Sequence, residues 1–158
     1  MNFDSMAFEV EEHGIEIIEY KLSNTRIKAL YSDEIITLNA AYAATEVENK
    51  CVLAEELGHY YTSSGNILDI NDLRNAKQEK RARNWAYEKL VPLDKLIEAF
   101  KDGVKNRFEL TEFLDVTEEF IEGAIKHYRQ KYGLCVRYSD CLIYFEPLGV
   151  LRQMEADI

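Results

Sequence analysis

The chain has 158 residues, of which 47% are hydrophobic and 30% are charged. These proportions are typical of one soluble globular domain with a sizeable core. The 29 acidic residues exceed the 19 basic ones and give a formal net charge of -10, which argues against non-specific nucleic-acid binding, since that needs a positive surface. The three cysteines do not form a disulfide pattern, and the N-terminus does not have the composition of a secretion signal. We therefore expect a cytoplasmic protein without a membrane segment.

The first third of the chain predicts a helix followed by a small sheet. Residues 4–13 have a helical pattern that ends at Gly14, a residue that favours the end of a helix. Three strand-like segments follow at 15–20, 26–31 and 34–38, separated by turn residues. Short connections of this kind predict an antiparallel sheet.

After the predicted sheet, the spacing of apolar residues becomes helical. Thr45 and Glu48 have the spacing of a capping box, which predicts that a helix begins there and continues to Tyr61. Further segments predict four helices and a short terminal hairpin, over residues 72–90, 94–101, 106–114, 117–132 and 135–145. We thus expect an α+β fold in a single domain, 1–158, with a core (1–92), a helical extension and hairpin (93–146) and a loose tail (147–158).

The predicted helix at 46–61 contains a near match to the metal-binding helix of zinc peptidases. In the pattern H-E-x-x-H, two histidines lie on one helical face, and the glutamate beside the first acts as general base. Here Glu56 and His59 occupy the positions of the glutamate and the second histidine, and Glu55 replaces the first histidine. Zinc also accepts carboxylate oxygen, so Glu55 and His59, four residues apart, could hold one ion while Glu56 takes a proton from water.

The pattern E-E-x-x-H also occurs on ordinary solvated helices, so these residues alone leave both a metal site and a plain surface open. Gly58 gives a further indication. A glycine inside a helix costs about 1 kcal/mol relative to alanine. Its presence between the two candidate residues predicts that another element packs closely against the helix at this point.

Residues 35–92 resemble the ImmA/IrrE family of metallopeptidases, which is common in phages and mobile elements. The strand at 35–39, the helix at 52–59 and the segment 79–92, which ends in proline, follow the family's order: a strand, an H-E-L-G-H helix, and a helix similar to E-A-N-x-F-A-x-x-L-L-x-P. The resemblance implies a zincin-like active-site helix, a zinc cofactor, and a regulatory endopeptidase that acts on a phage-type repressor or a similar regulator.

Two positions depart from the family's ligand pattern and leave two interpretations. Glu55 replaces the first histidine, and Arg81 aligns with the glutamate that opens the family's last helix. A guanidinium group has no lone pair with which to bind a metal. In one interpretation, an ion pair between Glu55 and Arg81 takes the place of the metal. The protein is then a catalytically inactive pseudo-peptidase that binds a regulatory protein.

In the other interpretation the metal is kept. Its ligands are Glu55, His59 and Glu79, and Glu56 is the catalytic base. At about 100° per residue, Glu79 falls within the apolar stripe of its helix, where an unpaired carboxylate is costly, so a partner is expected. That partner is either a metal or a base such as Arg83. We favour the zinc peptidase because Glu56 and His59 are both present; the oligomeric state stays open.

Overall fold

The computed structural model of the chain describes residues 1–42, 44–62 and 73–152. An α+β fold is found, as expected, with a mixed sheet near the N-terminus, a central set of helices and a second sheet near the C-terminus. The elements are α1 (Phe3–Glu12), β1 (Glu16–Tyr20), β2 (Ala29–Ser32), β3 (Ile35–Asn39), α2 (Glu46–Thr62), α3 (Leu73–Leu90), α4 (Leu93–Lys101), α5 (Arg107–Leu114), α6 (Glu118–Tyr132), β4 (Cys135–Tyr138), β5 (Cys141–Phe145) and β6 (Leu148–Arg152).

The N-terminal sheet has the strand order β1-β3-β2, so β2 is an edge strand. The expected antiparallel pairing is found between β2 and β3, whereas β1 runs parallel to β3. The chain after β1 therefore crosses to the other side of β3 before it forms β2. Buried Asn39 fixes this crossing, because its side chain accepts from the Leu22 N–H at 3.0 Å and donates to the Ile27 carbonyl at 2.6 Å.

Helices α2 and α3 form the centre of the molecule. The predicted capping box begins α2: the Thr45 N–H donates to the Glu48 carboxylate at 2.8 Å, and the Glu48 N–H donates to the Thr45 hydroxyl at 3.2 Å. The close contact expected at Gly58 is with Ala82 of α3. A Cβ atom at residue 58 would lie 2.4 Å from the Ala82 carbonyl oxygen, so only glycine permits this approach.

The C-terminal sheet is antiparallel, with the order β4-β5-β6. The predicted hairpin is found as β4 and β5. Residues 148–152 form β6, although a loose tail was expected from Pro147 onward. The reason is that Leu148 and Val150 pack against the buried core while the strand pairs with β5. The rest of the expected tail, 153–158, lies outside the described residues.

One cluster of buried apolar side chains includes residues from α1 and α2 as well as from α6 and β5. Lys50 links these parts. Its side chain is fully buried, and its ammonium group donates to the Met1 carbonyl at 2.8 Å and to Asp115, after α5, at 2.9 Å. The division of the chain into core and extension stays a prediction. Within the described residues, no helix is long and apolar enough to cross a membrane.

Candidate active site

The predicted site residues surround one cavity, which we call the site cavity. Glu55, Glu56 and His59 extend from α2, and Glu79 comes from the second turn of α3. The opposite wall is formed by residues 27–31, which include most of the edge strand β2, and the cavity has a volume of about 350 Å³. Helical spacing on α2 and the close packing of α3 at Gly58 together place the four side chains around this space.

His59 and Glu79 make the closest contact in the site. The Nε2 atom of His59 lies 3.3 Å from Oε1 of Glu79. This is the length of a weak hydrogen bond, longer than the about 2.7–2.9 Å of a strong charge-assisted one, and this bond lowers the pKa of Glu79. Two ligands of one tetrahedral zinc ion are also separated by about 3.3 Å, since each metal–ligand bond is about 2.0–2.1 Å long. The two atoms therefore have a separation that fits shared zinc coordination.

Burial determines how the site carboxyl groups titrate. Burial raises the pKa of Glu56 to about 7, and the nearby His59 only partly offsets this effect. Burial also raises the pKa of Glu55, although Arg83 and Lys28 act in the opposite direction. A carboxyl group with a pKa near neutrality is well suited to general-base catalysis, because it can both accept and release a proton at physiological pH.

The pKa values of the contacting residues Glu79 and His59 are shifted in opposite directions. The His59 imidazole lowers the pKa of Glu79. Burial of His59 acts to lower the pKa of its ring, but the carboxylates of Glu79, Glu56 and Glu55 outweigh it, so the pKa is raised. The Nδ1 atom of His59 is buried, and none of the described residues gives it a hydrogen-bond partner. The Glu79 contact is thus the main polar interaction that orients the ring.

Glu79, rather than Arg81, faces His59. Arg81 is exposed on α3, and the ion pairs found among the described residues do not join it to Glu55. The cations whose charges act on Glu55 are Arg83 and Lys28. The pairing that would replace the metal in a pseudo-peptidase is therefore not made by the described residues.

The donors fit zinc in their chemistry, since zinc binds both imidazole and carboxylate. Two of them also have the required separation. Among the described residues, however, no group of three or more His, Cys, Asp or Glu side chains is assembled around a single point. Glu55 lines the same cavity, but the assignment of Glu55, His59 and Glu79 as a ligand set stays a prediction.

Lys28 and Tyr31 also line the site cavity, and neither was predicted as a site residue. They come from β2 and the connection before it. Because the crossing from β1 to β2 brings this segment to α2, no local spacing in the sequence could have indicated its place. Arg83 was named as a possible partner of Glu79, and its charge acts on both Glu79 and Glu55.

A helix carrying E-E-x-x-H, a facing glutamate and an adjacent edge strand define a metallopeptidase-like domain. Residues 10–126 match the family model of the IrrE N-terminal-like domain, a peptidase family. This match covers well over half of the chain, so the protein belongs to that family, in agreement with the ImmA/IrrE resemblance. No curated protein and no solved structure matches the chain.

Proposed function

We propose that the protein is a zinc-dependent regulatory peptidase in which Glu55, His59 and Glu79 hold the metal. The observation that carries this proposal is the 3.3 Å separation between His59 Nε2 and Glu79 Oε1, in a cavity that Glu55 and Glu56 also line. Zinc, when bound, supplies a Lewis acid that polarises the substrate carbonyl and lowers the pKa of water.

Glu56 is the proposed general base. Its side chain is half-buried, and its pKa of about 7 leaves a substantial fraction ionised at neutral pH. The ionised form accepts a proton from the attacking water, and the resulting acid can pass that proton to the leaving amine. The charge of Glu56 also acts on His59, so the base is close to the proposed ligands.

The proposed substrate is a protein, in particular a phage-type repressor or a similar regulator, as the family resemblance implies. The edge strand β2 supports a polypeptide substrate, because it lines the site cavity and pairs with another strand only through β3 within the described sheet. An extended peptide can add to such an edge through backbone hydrogen bonds.

Metal content is the decisive measurement. We expect about one zinc per chain in protein purified without chelator, as for a site with a full ligand set. Glu79→Gln and His59→Ala should each lose the metal, and Glu56→Gln should keep it while losing peptidase activity. Arg81→Gln is the matched control on α3 and should keep both. Folded protein that contains no zinc and takes up none on titration would contradict the proposal.

A second candidate is a catalytically inactive pseudo-peptidase that binds a regulatory protein. It is favoured by the absence of a three-donor cluster in the described part of the chain. In that case, the contact between His59 and Glu79 is an ion pair that holds α2 to α3. Glu79→Gln should then lower the thermal stability of protein that has been treated with chelator. If the protein is instead the zinc enzyme, chelator and Glu79→Gln both lower the thermal stability by removing the zinc. Chelator should then lower the stability of the wild type but not that of Glu79→Gln.

A further inference from the structure

The edge strand β2 presents outward-facing backbone groups to the site cavity at two residues. The Asn39 N–H donates to the Lys28 carbonyl at 2.9 Å, so the backbone groups of Lys28 point toward β3. Successive residues of an antiparallel strand point their N–H and C=O groups to opposite sides. Leu30 therefore also faces β3, and the backbone groups of Ala29 and Tyr31 point away from β3, toward the site cavity that both residues line.

An extended peptide that pairs antiparallel with β2 must therefore use Ala29 and Tyr31. Residues that lie directly opposite each other in paired strands place their side chains on the same face of the sheet. The exposure of the strand identifies this face, because Ala29 is buried and Tyr31 is half-buried, whereas Lys28 and Leu30 are exposed. The side chain of the peptide residue opposite Tyr31 would thus lie beside the Tyr31 ring, on the buried side of β2.

Helix α2 supplies the facing wall at this position. Val52, Glu56 and Tyr60 are spaced four residues apart, so they follow one another along one face of α2. Val52 and Glu56 line the site cavity. Tyr60 continues the row by one turn and contacts Tyr31 of β2, with the two ring centres 6.4 Å apart. The proposed general base therefore lies one helical turn from an aromatic contact between the two walls of the cavity.

The rings of Tyr31 and Tyr60 form what we call the aromatic corner. They are inclined at 84° to each other, so they make two nearly perpendicular apolar walls. Tyr60 is 37% exposed and Tyr31 is half-buried, so neither ring is fully covered. His13 and Tyr61 also contact the Tyr60 ring, at centre distances of 5.7 Å and 5.2 Å, and hold it in place. A preformed aromatic surface of this kind binds an apolar side chain at a low entropic cost.

The charges around the aromatic corner are negative. Burial raises the pKa of Tyr31, and the charges of Glu34 and Asp33 act in the same direction. An acidic side chain of a peptide would be repelled by these groups. A basic side chain would give up water on entering between two rings. A large apolar side chain, by contrast, gains contact with both rings and loses no hydration of a charge.

We propose that Tyr31 and Tyr60 form a subsite that binds a large apolar side chain of the peptide substrate, at the residue that pairs with Tyr31. Because Glu56 lies one turn before Tyr60 on the same face of α2, the selected residue is close to the cleaved bond. The proposal rests on the proposed function for the peptide nature of the ligand. Peptide binding is measured without cleavage and separately from zinc content, so failure of one proposal is distinguishable from failure of the other.

The test uses full-length Glu56→Gln protein, in which a bound peptide stays intact. Burial raises the pKa of Glu56, and a hydrogen bond from the Tyr31 N–H acts against this effect. The neutral amide of the variant competes less strongly than a carboxylate for the N–H group that the peptide needs. Four peptides are titrated and followed by backbone amide shifts in NMR spectra: acetyl-Ala-Ala-Phe-Ala-Ala-amide and its counterparts with Ala, Lys or N-methyl-Phe at the centre.

We expect the Phe peptide to bind about fivefold more tightly than the Ala and Lys peptides, the size of one aromatic contact. The amide shifts should include those of Ala29 and Tyr31. N-methylation removes the N–H that pairs with the Tyr31 carbonyl, so the N-methyl-Phe peptide should bind no more tightly than the Ala peptide. Zinc content measured on the same samples tests the proposed function independently.

Tyr60→Ala should remove most of the preference for Phe without weakening the Ala peptide, whereas Tyr60→Phe keeps the ring and should preserve it. Tyr20→Ala is the matched control, because Tyr20 is 64% exposed on β1, at the other edge of the sheet. Tyr31→Val is the second variant, in case Tyr60→Ala fails to fold. Equal affinity for the Phe and Ala peptides would overturn the proposal, as would a preference that persists in both variants. Tighter binding of the Lys peptide, undiminished binding of the N-methyl-Phe peptide, or saturable binding of none of the four at millimolar concentration would overturn it as well.

Discussion

The contact at Gly58 allows a sharp test of how α2 and α3 are held together. In Gly58→Ala, the new Cβ atom would lie 2.4 Å from the carbonyl oxygen of Ala82 and 3.0 Å from its carbonyl carbon. A relaxed C···O contact is about 3.3–3.6 Å, so the two helices must separate locally by about 1 Å. Neither atom belongs to a flexible side chain, so rotation of a side chain cannot relieve the clash.

The expected change in stability has two parts of opposite sign. Alanine is the better helix former and gains about 1 kcal/mol over glycine. Overpacking a tight contact costs about 1–3 kcal/mol, and we expect the upper part of that range here, about 2–3 kcal/mol, because the clash is with backbone and disturbs the fully buried Ala82 and Ala86. We expect a net loss of about 1–2 kcal/mol, which for a chain of this size lowers Tm by about 2–8 °C.

Thermal unfolding followed by circular dichroism measures this loss. Gly149→Ala is the matched control, because none of the described heavy atoms lies within 4 Å of a Cβ atom added there. That control should leave Tm nearly unchanged. If Gly58→Ala has the same Tm as the wild type or a higher one, the helices separate without cost and the close contact is not required. His59 and Glu79 lie beside this contact, so under the proposed function the variant should also have a lower zinc content than the wild type.

Two further predictions concern polar groups away from the site. Lys50→Met keeps the buried aliphatic part of the side chain but removes the ammonium group that binds Met1 and Asp115. We expect its free energy of unfolding in urea to fall by about 2 kcal/mol, and that of Lys50→Ala to fall further. An unchanged free energy of unfolding in Lys50→Met would show that these bonds do not stabilise the fold. Burial acts to raise the pKa of Glu88, but Lys131 and His127 outweigh it and the pKa is lowered. Glu88 therefore stabilises the fold above its ordinary pKa of 4.5, and this contribution disappears as pH falls through the lower folded value. Glu88→Gln should lower Tm at neutral pH and reduce its decline below pH 4.5; parallel curves for the two proteins would contradict this.

Local sequence signals were sufficient for most elements of the fold. Thr45 and Glu48 predicted where α2 begins, because a capping box depends only on residues within one turn. The same periodicity placed Glu55 and His59 on one face, and Gly58 indicated a close neighbour without naming it. Composition and spacing thus determined the α+β class, the helices and the half of the site that lies on a single helix.

The sequence by itself determined which functional groups are available. These are one imidazole and two carboxylates on α2, and Glu79 and Arg81 on α3 as alternative residues to face them. Only the tertiary structure decided that Glu79 contacts His59. The rotation of α3 about its own axis and its distance from α2 both follow from its packing at Gly58. The parallel pairing of β1, the third strand β6 and the burial of Lys50 were also decided at that level. All of these features depend on contacts between segments that are distant in sequence. The free energy of such contacts comes from packing and solvent exclusion, which a local sequence pattern does not indicate.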